Sequence, residues 1–397
     1  MKLLLYLLVI NMEIKNIKLD NIDDNSRAVT IKTSGKNIIT PNKSITSSEI
    51  NKIKSMRLKS DEPPSPFDVA DEKFPWQIYQ VDMEYKEKIR KNIAQNYDGL
   101  NKKISNIKSR VNIINKMLTD EENKNIIKIL YPKTVRNDII PSEFMTALIE
   151  LEVKIGVDVI TIPEPTPGCS FDMFERNLKN VSRFLDDLGN TKPLMPIIDS
   201  KSNADRFNDK LNFIRDQFLN YNKNFGLMGI ASRVFSSHIN LHKLRNDSDK
   251  FEHFWIHGFG AYRNSPSRIF YNPHACTLWG IDTVGVTPQR GFPQINKNNS
   301  NFTNVKKLRI YDKDSWGIYK EPKEFIDKNL CDCEGCNYYR KSSKFEKLQS
   351  SLDVHEIIQS YNQITKSRRN IQENDYINLI KQKKYFKNYY EDSIKDI

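Results

Sequence analysis

From about residue 126 onward the chain alternates short apolar runs with longer amphipathic stretches, and nothing else in it narrows the fold so far. The runs lie at 126–131, 157–162, 194–198, 226–230, 254–257 and 277–282. Between them, 141–155, 170–188, 203–221 and 231–245 carry apolar residues at helical spacing. Strands roughly 25 to 40 residues apart with helices between them imply a parallel α/β architecture. No glycine-rich phosphate loop follows the first run, so a (β/α)8 TIM-like barrel is favoured over a dinucleotide-binding fold.

The expected organisation has four parts. Residues 1–73 are a polar N-terminal region, partly β, with runs such as 28–33 and a proline-marked turn at 63–66. Residues 74–125 read as a helical insertion, with stretches at 84–95 and 100–118. Ile104, Ile107, Val111, Ile114 and Leu118 would form its buried face. Residues 126–325 form the barrel body, and 326–397 a zinc-binding motif with terminal helices.

In parallel α/β barrels the reactive groups collect at the C-terminal ends of the strands. Read that way, Glu164 follows the run at 157–162 and Asp199 follows 194–198. Gly229 lies near the end of 226–230, His257 ends 254–257, and Asp282 ends 277–282. Each residue has a plain alternative as a helix cap, a turn former or a hydrogen-bonded histidine. Three carboxyls and a histidine at strand ends together point to acid–base or nucleophilic chemistry.

Three of the five cysteines sit in Cys331-Asp-Cys333-Glu-Gly-Cys336, and His355 follows. Three thiolates and one imidazole at that spacing suit a tetrahedral Zn²⁺, and a closed four-ligand set is structural rather than catalytic. The alternative is three reduced thiols on a loop. Cys169 and Cys276 are scattered, which argues against a disulfide framework.

Lys and Arg number 62 against 50 Asp and Glu, a formal net charge of +12. That excess permits phosphate contacts with nucleic acid, although lysine is abundant throughout the chain. Residues 1–11 are apolar but too short to span a bilayer and carry no cleavage site. They read as a first buried strand, or as preceding a start at Met12. With no later long apolar segment, a cytoplasmic protein with no membrane partner is expected.

The order of these pieces resembles the tRNA-guanine transglycosylase family. The segment 149–167 resembles the stretch around that family's base-recognition aspartate. Ile256-His-Gly-Phe-Gly260 resembles the strand before the nucleophile, and Leu278-Trp-Gly-Ile-Asp282 the run leading to it. Cys331, Cys333, Cys336 and His355 match the zinc ligands. The resemblance spans about residues 139 to 385. It implies a zinc-bearing (β/α)8 barrel that exchanges guanine for a 7-deazaguanine base in tRNA or DNA. It also implies pairing as a homodimer or as a heterodimer with a related transglycosylase.

The departures are specific. The family's Asp-Ser-Gly-Gly-Phe-Gln loop is not found. The base-recognition aspartate falls on Pro163, with Glu164 beside it, and a family glutamine falls on Asp199. The nucleophilic aspartate falls on Gly285, and Asp282 aligns with a preceding, usually structural, aspartate. An appended RNA-binding domain of the archaeal kind is not seen. Carried over, the resemblance makes Asp282 the nucleophile and Asp199 an acid or base. Glu164, Gly229 and His257 would face the base, and Arg290 a phosphate. The alternative is a non-catalytic accessory subunit or nucleic-acid-binding protein of the same fold.

Overall fold

The computed structural model describes residues 13–23, 26–57, 68–69, 72–73, 76–84, 105, 107–112, 125–133, 139–218, 225–231, 239–261, 273–286, 307–342, 344–384, 387 and 391. Strands β1 (Ile14–Asp23) and β2 (Ser26–Thr33) form an antiparallel hairpin, and β2 also carries β3 (Ile38–Ile39). Ile17, Val29 and Ile31 on the hairpin are fully buried.

Next, β4 (Asn42–Lys43) and β5 (Ile45–Thr46) run as one extended stretch into helix α1 (Ser47–Arg57). Glu49 stops this strand from within the first helical turn. It accepts from Thr46 N at 2.9 Å and from Lys43 Nζ at 2.6 Å, satisfying a free helix-terminal amide and a buried ammonium at once. The short strands β6 (Asp68–Val69) and β7 (Glu72–Lys73) pair with each other, and β8 (Ile78–Glu84) lies parallel to β9 (Ile127–Lys133).

The residues expected to form a helical insertion therefore contribute a strand, β8. Gln80 and Asp82 alternate with Tyr79, Val81 and Met83, so the strand shows as a period of two rather than as a continuous apolar run. Residues 107–112 are helical and bury Ile107 and Val111, as the stripe implies. Ile104, Ile114, Leu118 and residues 85–95 lie outside the described residues.

From residue 139 helices and strands alternate. They are α2 (Ser142–Ile155), β10 (Ile160–Ile162), α3 (Phe171–Asp187), β11 (Leu194–Asp199) and α4 (Ala204–Phe213). Then come β12 (Gly226–Ala231), α5 (Ile239–Asn246), β13 (Phe254–Ala261), α6 (His274–Leu278) and β14 (Thr283–Val286). Local chemistry sets the ends. Asn203 caps α4 by accepting from Asp205 N at 2.9 Å, and Gly156 takes φ 80° to end α2. In α3, Phe174, Leu178, Val181 and Leu185 form the buried stripe, each contributing on the order of 1.5–3 kcal/mol through its burial.

Six strands form a parallel sheet in the order β10-β11-β12-β13-β14-β4. A second parallel sheet has the order β5-β8-β9. The two meet twice. The stretch 42–46 pairs with Thr283 and Val284 through β4 and with Tyr79 and Gln80 through β5. At the other edge Ile129 bridges Val159 in parallel.

Both faces of these strands are buried, as parallel sheets require. Alternate residues such as Tyr79, Leu130, Ile198, Met228 and Ile256 join a cluster with α2, α3, α4 and α5. The intervening residues, including Ile78, Ile129, Ile197, Leu227 and Trp255, join Ile17, Val29 and Ile31 of the hairpin in a second cluster. That second cluster contains no helical residue among those described.

One expected strand differs. The run at 277–282 is the end of α6 and a turn, with Gly280 at φ 71°, and the strand begins only at Thr283.

Beyond the sheet, β15 (Leu308–Asp312) and β16 (Gly317–Glu321) form a hairpin followed by α7 (Lys323–Lys328) and α8 (Glu334–Arg340). The long α9 (Phe345–Gln372) and then α10 (Tyr376–Gln382) end the described chain apart from isolated residues. Helix α9 joins the two parts. Val354, Ile357 and Ile364 enter the main core, while Leu348 and Leu352 pack with Leu308, Ile310 and Ile326. No helix among the described residues is long and apolar enough to cross a membrane.

Candidate active site and metal centre

Cys331 and Cys333 lie in the turn before α8, Cys336 in its first turn, and His355 in the middle of α9. Their four ligand atoms lie within 4.8 Å of one another. His355 Nδ1 stands 3.4, 3.3 and 3.2 Å from the sulfurs of Cys331, Cys333 and Cys336, and the Cys331 and Cys336 sulfurs are 3.7 Å apart. A tetrahedron with Zn–S bonds of about 2.3 Å has edges of about 3.7 Å, so the set fits zinc in size and donor type.

Two details build the site. His355 Nε2–H donates to Tyr311 O at 2.8 Å, which leaves Nδ1 as the free lone pair. Gly335 is obligatory, because a Cβ there would stand 2.4 Å from His355 N and 2.5 Å from Ser351 O. Only glycine lets α8 approach α9 closely enough to bring Cys336 to His355.

Glu164 is buried beyond β10. Its Oε1 accepts from Lys210 Nζ at 2.7 Å and from Asp199 N at 3.3 Å, and its Oε2 accepts from Gly168 N. Gly168 reaches that position at φ 75°. Burial raises the Glu164 carboxyl above its ordinary value, with Lys210 acting the other way. Glu164 thus ties the 163–168 loop to β11 and α4, and both of its oxygens are engaged.

Asp199 ends β11, half-buried, with Oδ1 capped by Lys201 N at 2.7 Å. Among the described residues no partner reaches its Oδ2. This is the strand-end carboxylate that the sequence implies.

Gly229 lies near the end of β12 as expected, whereas His257 lies in the middle of β13. Gly229 pairs with His257 across β12 and β13, and β13 runs on to Ala261. A Cβ on Gly229 would stand 2.6 Å from the Phe259 ring, so this glycine makes room for Phe259, which stacks on Tyr131 at 4.8 Å. His257 is fully buried. Its Nδ1 lies 2.6 Å from Thr283 Oγ1 and its Nε2 lies 2.9 Å from Gln80 Oε1. Trp255 Nε1 donates to the same threonine oxygen at 2.6 Å. Burial pushes the His257 pKa down to about 3, so the ring is neutral at ordinary pH.

Gln80 Nε2 donates to Asp82 Oδ1 at 2.6 Å. Asp82, near the C-terminal end of β8 and in register with Tyr131, keeps its Oδ2 buried with no partner among the described residues. Burial raises its pKa to about 7, against Gln80's hydrogen bond, the nearby Lys133 and Arg110. Gly285 lies against the same amide, where a Cβ would stand 1.8 Å from Gln80 Oε1. The position at which the family resemblance puts an attacking aspartate is therefore filled by the Gln80 side chain.

Asp282 requires a correction. Because the last strand starts at Thr283, Asp282 enters it at the N-terminal end, opposite Asp82 and Asp199. It is fully buried, accepting from Arg27 Nε at 2.9 Å and from Ile256 N at 2.7 Å. Arg27 also donates to Ser248 O at 3.1 Å and to Phe254 O at 2.7 Å. Both carboxylate oxygens are held, so Asp282 acts as a clamp between the hairpin and the sheet rather than as an exposed nucleophile. Arg290 lies outside the described residues.

Sequence reasoning missed Asp82, Gln80, Lys210 and Arg27. The partners of the last two are 46 and 255 residues away, with no local pattern to link them. For Asp82 the alternation of Ile78, Gln80 and Asp82 with Tyr79, Val81 and Met83 was a usable strand signal. The chain matches no protein-family model and no curated protein.

Proposed function

We propose that the chain is a (β/α)8 barrel enzyme of transglycosylase type, which exchanges guanine for a 7-deazaguanine base in tRNA or DNA. The parallel pairings support the barrel reading. They lead from 42–46 through β8, β9, β10, β11, β12, β13 and β14 back to 42–46, with a helix-free cluster between the strands. The Cys3His group after the last strand fits the family resemblance, and a zinc ion held there would supply a structural clamp between α8 and α9.

The observation that carries the chemistry is two carboxyls, Asp82 and Asp199, near the C-terminal ends of parallel strands, each with one oxygen free of partners among the described residues. In this reading Asp199 replaces Asp282 as the nucleophile. One of its oxygens bonds to the anomeric carbon as the bond to guanine breaks, and the bonding pair leaves with the base. Asp82, its pKa raised to about 7 and so carrying a proton in part of the molecules at neutral pH, delivers that proton to the departing base. The incoming base returns a proton to Asp82, attacks the anomeric carbon and expels Asp199. The net charge of +12 favours a polyanionic substrate.

The test is incubation of the protein with tRNA or duplex DNA, followed by nucleoside mass spectrometry and a denaturing gel. Wild type should exchange labelled guanine and form a trappable covalent complex. Asp199→Asn should form none, because an amide cannot replace the attacking carboxylate. Exchange by Asp199→Asn at the wild-type rate would overturn the assignment.

One feature favours the second reading, a non-catalytic subunit. Gly285 has no side chain, and the Gln80 amide occupies its space. Under that reading the wild type alone exchanges nothing on any substrate but changes the exchange rate of a catalytic relative when mixed with it.

A further inference from the structure

The buried polar atoms around Gln80 form a chain in which one placement of the hydrogens satisfies every contact. The indole Nε1 of Trp255 can only donate, so Thr283 Oγ1 accepts there at 2.6 Å. In that placement the Thr283 hydroxyl gives its own hydrogen to His257 Nδ1, 2.6 Å away. A neutral imidazole that accepts at Nδ1 carries its proton on Nε2, which donates to Gln80 Oε1 at 2.9 Å. The amide is thereby oriented, and its Nε2 donates to Asp82 Oδ1 at 2.6 Å. Trp255, His257, Thr283 and Gln80 are all at most 1% exposed, so water does not compete along the way.

We propose that Trp255, Thr283, His257 and Gln80 form a one-way hydrogen-bond relay that fixes Asp82 and confines its exchangeable proton to Oδ2. His257 and Gln80 are then positioning residues, and His257 does not itself transfer a proton. Oδ1 already receives a hydrogen from Gln80, so a proton on Asp82 has Oδ2 to occupy, the atom with no partner among the described residues. Gly285 belongs to the device, since any larger residue displaces the amide. The charged groups facing Asp82 come from other elements. Lys133 on β9 and Arg110 on the 107–112 helix favour its ionised form, and Glu49 on α1 opposes it. The inference deepens the base-exchange reading by naming what holds its acid in place.

The test reads Asp82 directly. The full chain is labelled with ¹³C at aspartate carboxyls and titrated by NMR, with the Asp82 signal assigned by its loss in Asp82→Asn. The wild-type midpoint should lie near 7. Gln80→Met removes the donor that favours the ionised form and should raise the midpoint by about one unit, a tenfold change in proton affinity. Gly285→Ala should do the same by displacing the amide, with all four relay residues still present. Thr283→Val should shift the midpoint, and Thr283→Ser should restore it. A wild-type midpoint near 4, or midpoints unmoved in folded Gln80→Met and Gly285→Ala, would overturn the relay. A protein that exchanges no base yet shows these shifts supports the relay and counts against the base-exchange reading alone.

Discussion

Asp282 separates a structural from a catalytic account most sharply, and its free-energy contribution follows from its partners. Arg27 and Asp282 are both fully buried and meet at 2.9 Å. Arg27→Met leaves the Asp282 carboxylate with one donor, Ile256 N, and strips the carbonyls of Ser248 and Phe254 of theirs. Removing one partner of a buried pair costs about 3–5 kcal/mol, and each orphaned carbonyl about 1 kcal/mol or more. A loss of about 5–7 kcal/mol is expected, a large part of the stability of an ordinary domain. Asp282→Asn should cost about 2–4 kcal/mol, because its amide must point a donor at either Arg27 Nε or Ile256 N, themselves both donors. Arg27→Met combined with Asp282→Leu should cost clearly less than the two single changes summed, since no unpaired charge remains. Urea unfolding followed by circular dichroism measures all of these. A cost below about 1 kcal/mol for Arg27→Met would refute the clamp. So would an Asp282→Asn protein of wild-type stability that has lost base exchange.

Two further outcomes are expected. Protein purified without chelator should carry one zinc per chain by metal analysis, and Cys333→Ala or chelation should release it and loosen the packing of α8 on α9, seen as faster proteolysis between residues 322 and 345. His257 has a folded pKa of about 3 against an ordinary 6.5, so the stability it gains by staying neutral is complete above pH 6.5 and is lost as pH falls toward 3. The stability difference between wild type and His257→Gln should therefore shrink by about 1.4 kcal/mol per pH unit across that window, and a pH-independent difference would contradict the buried neutral ring.

Runs at 126–131, 194–198, 226–230 and 254–257 were legible as strands because both of their faces are apolar. The run at 277–282 misled because Leu278, Trp279 and Ile281 are equally buried but sit in a helix end and turn. Moving that strand start to Thr283 carried Asp282 from one end of the sheet to the other. β4, β5 and β8 were hidden for the opposite reason. Asn42, Lys43, Ser44, Gln80 and Asp82 are polar yet mostly buried, so their sequence resembles a surface segment. The metal ligands were legible because their chemistry is local, three of them within one turn and its approach. The relay was not, because it joins residues on three strands whose spacing in sequence carries no information about their meeting.

The place of the 42–46 segment has a consequence for synthesis. It lies between Tyr79 and Thr283, so one of its neighbours is made about 240 residues after it. The hairpin before it is tied still later, since Asn21 Nδ2 donates to Ile371 O at 2.7 Å and Asp23 accepts from Tyr376 N at 2.7 Å. At roughly 5–20 residues per second a ribosome needs roughly 12–50 seconds to cover those 240 residues. For that interval the early segment has an unpaired edge and an uncovered apolar face. Contacts of such long sequence separation make folding slow after release as well. The chain should therefore depend on chaperones that shield nascent strands, and its yield should improve when translation and growth are slowed by cooling.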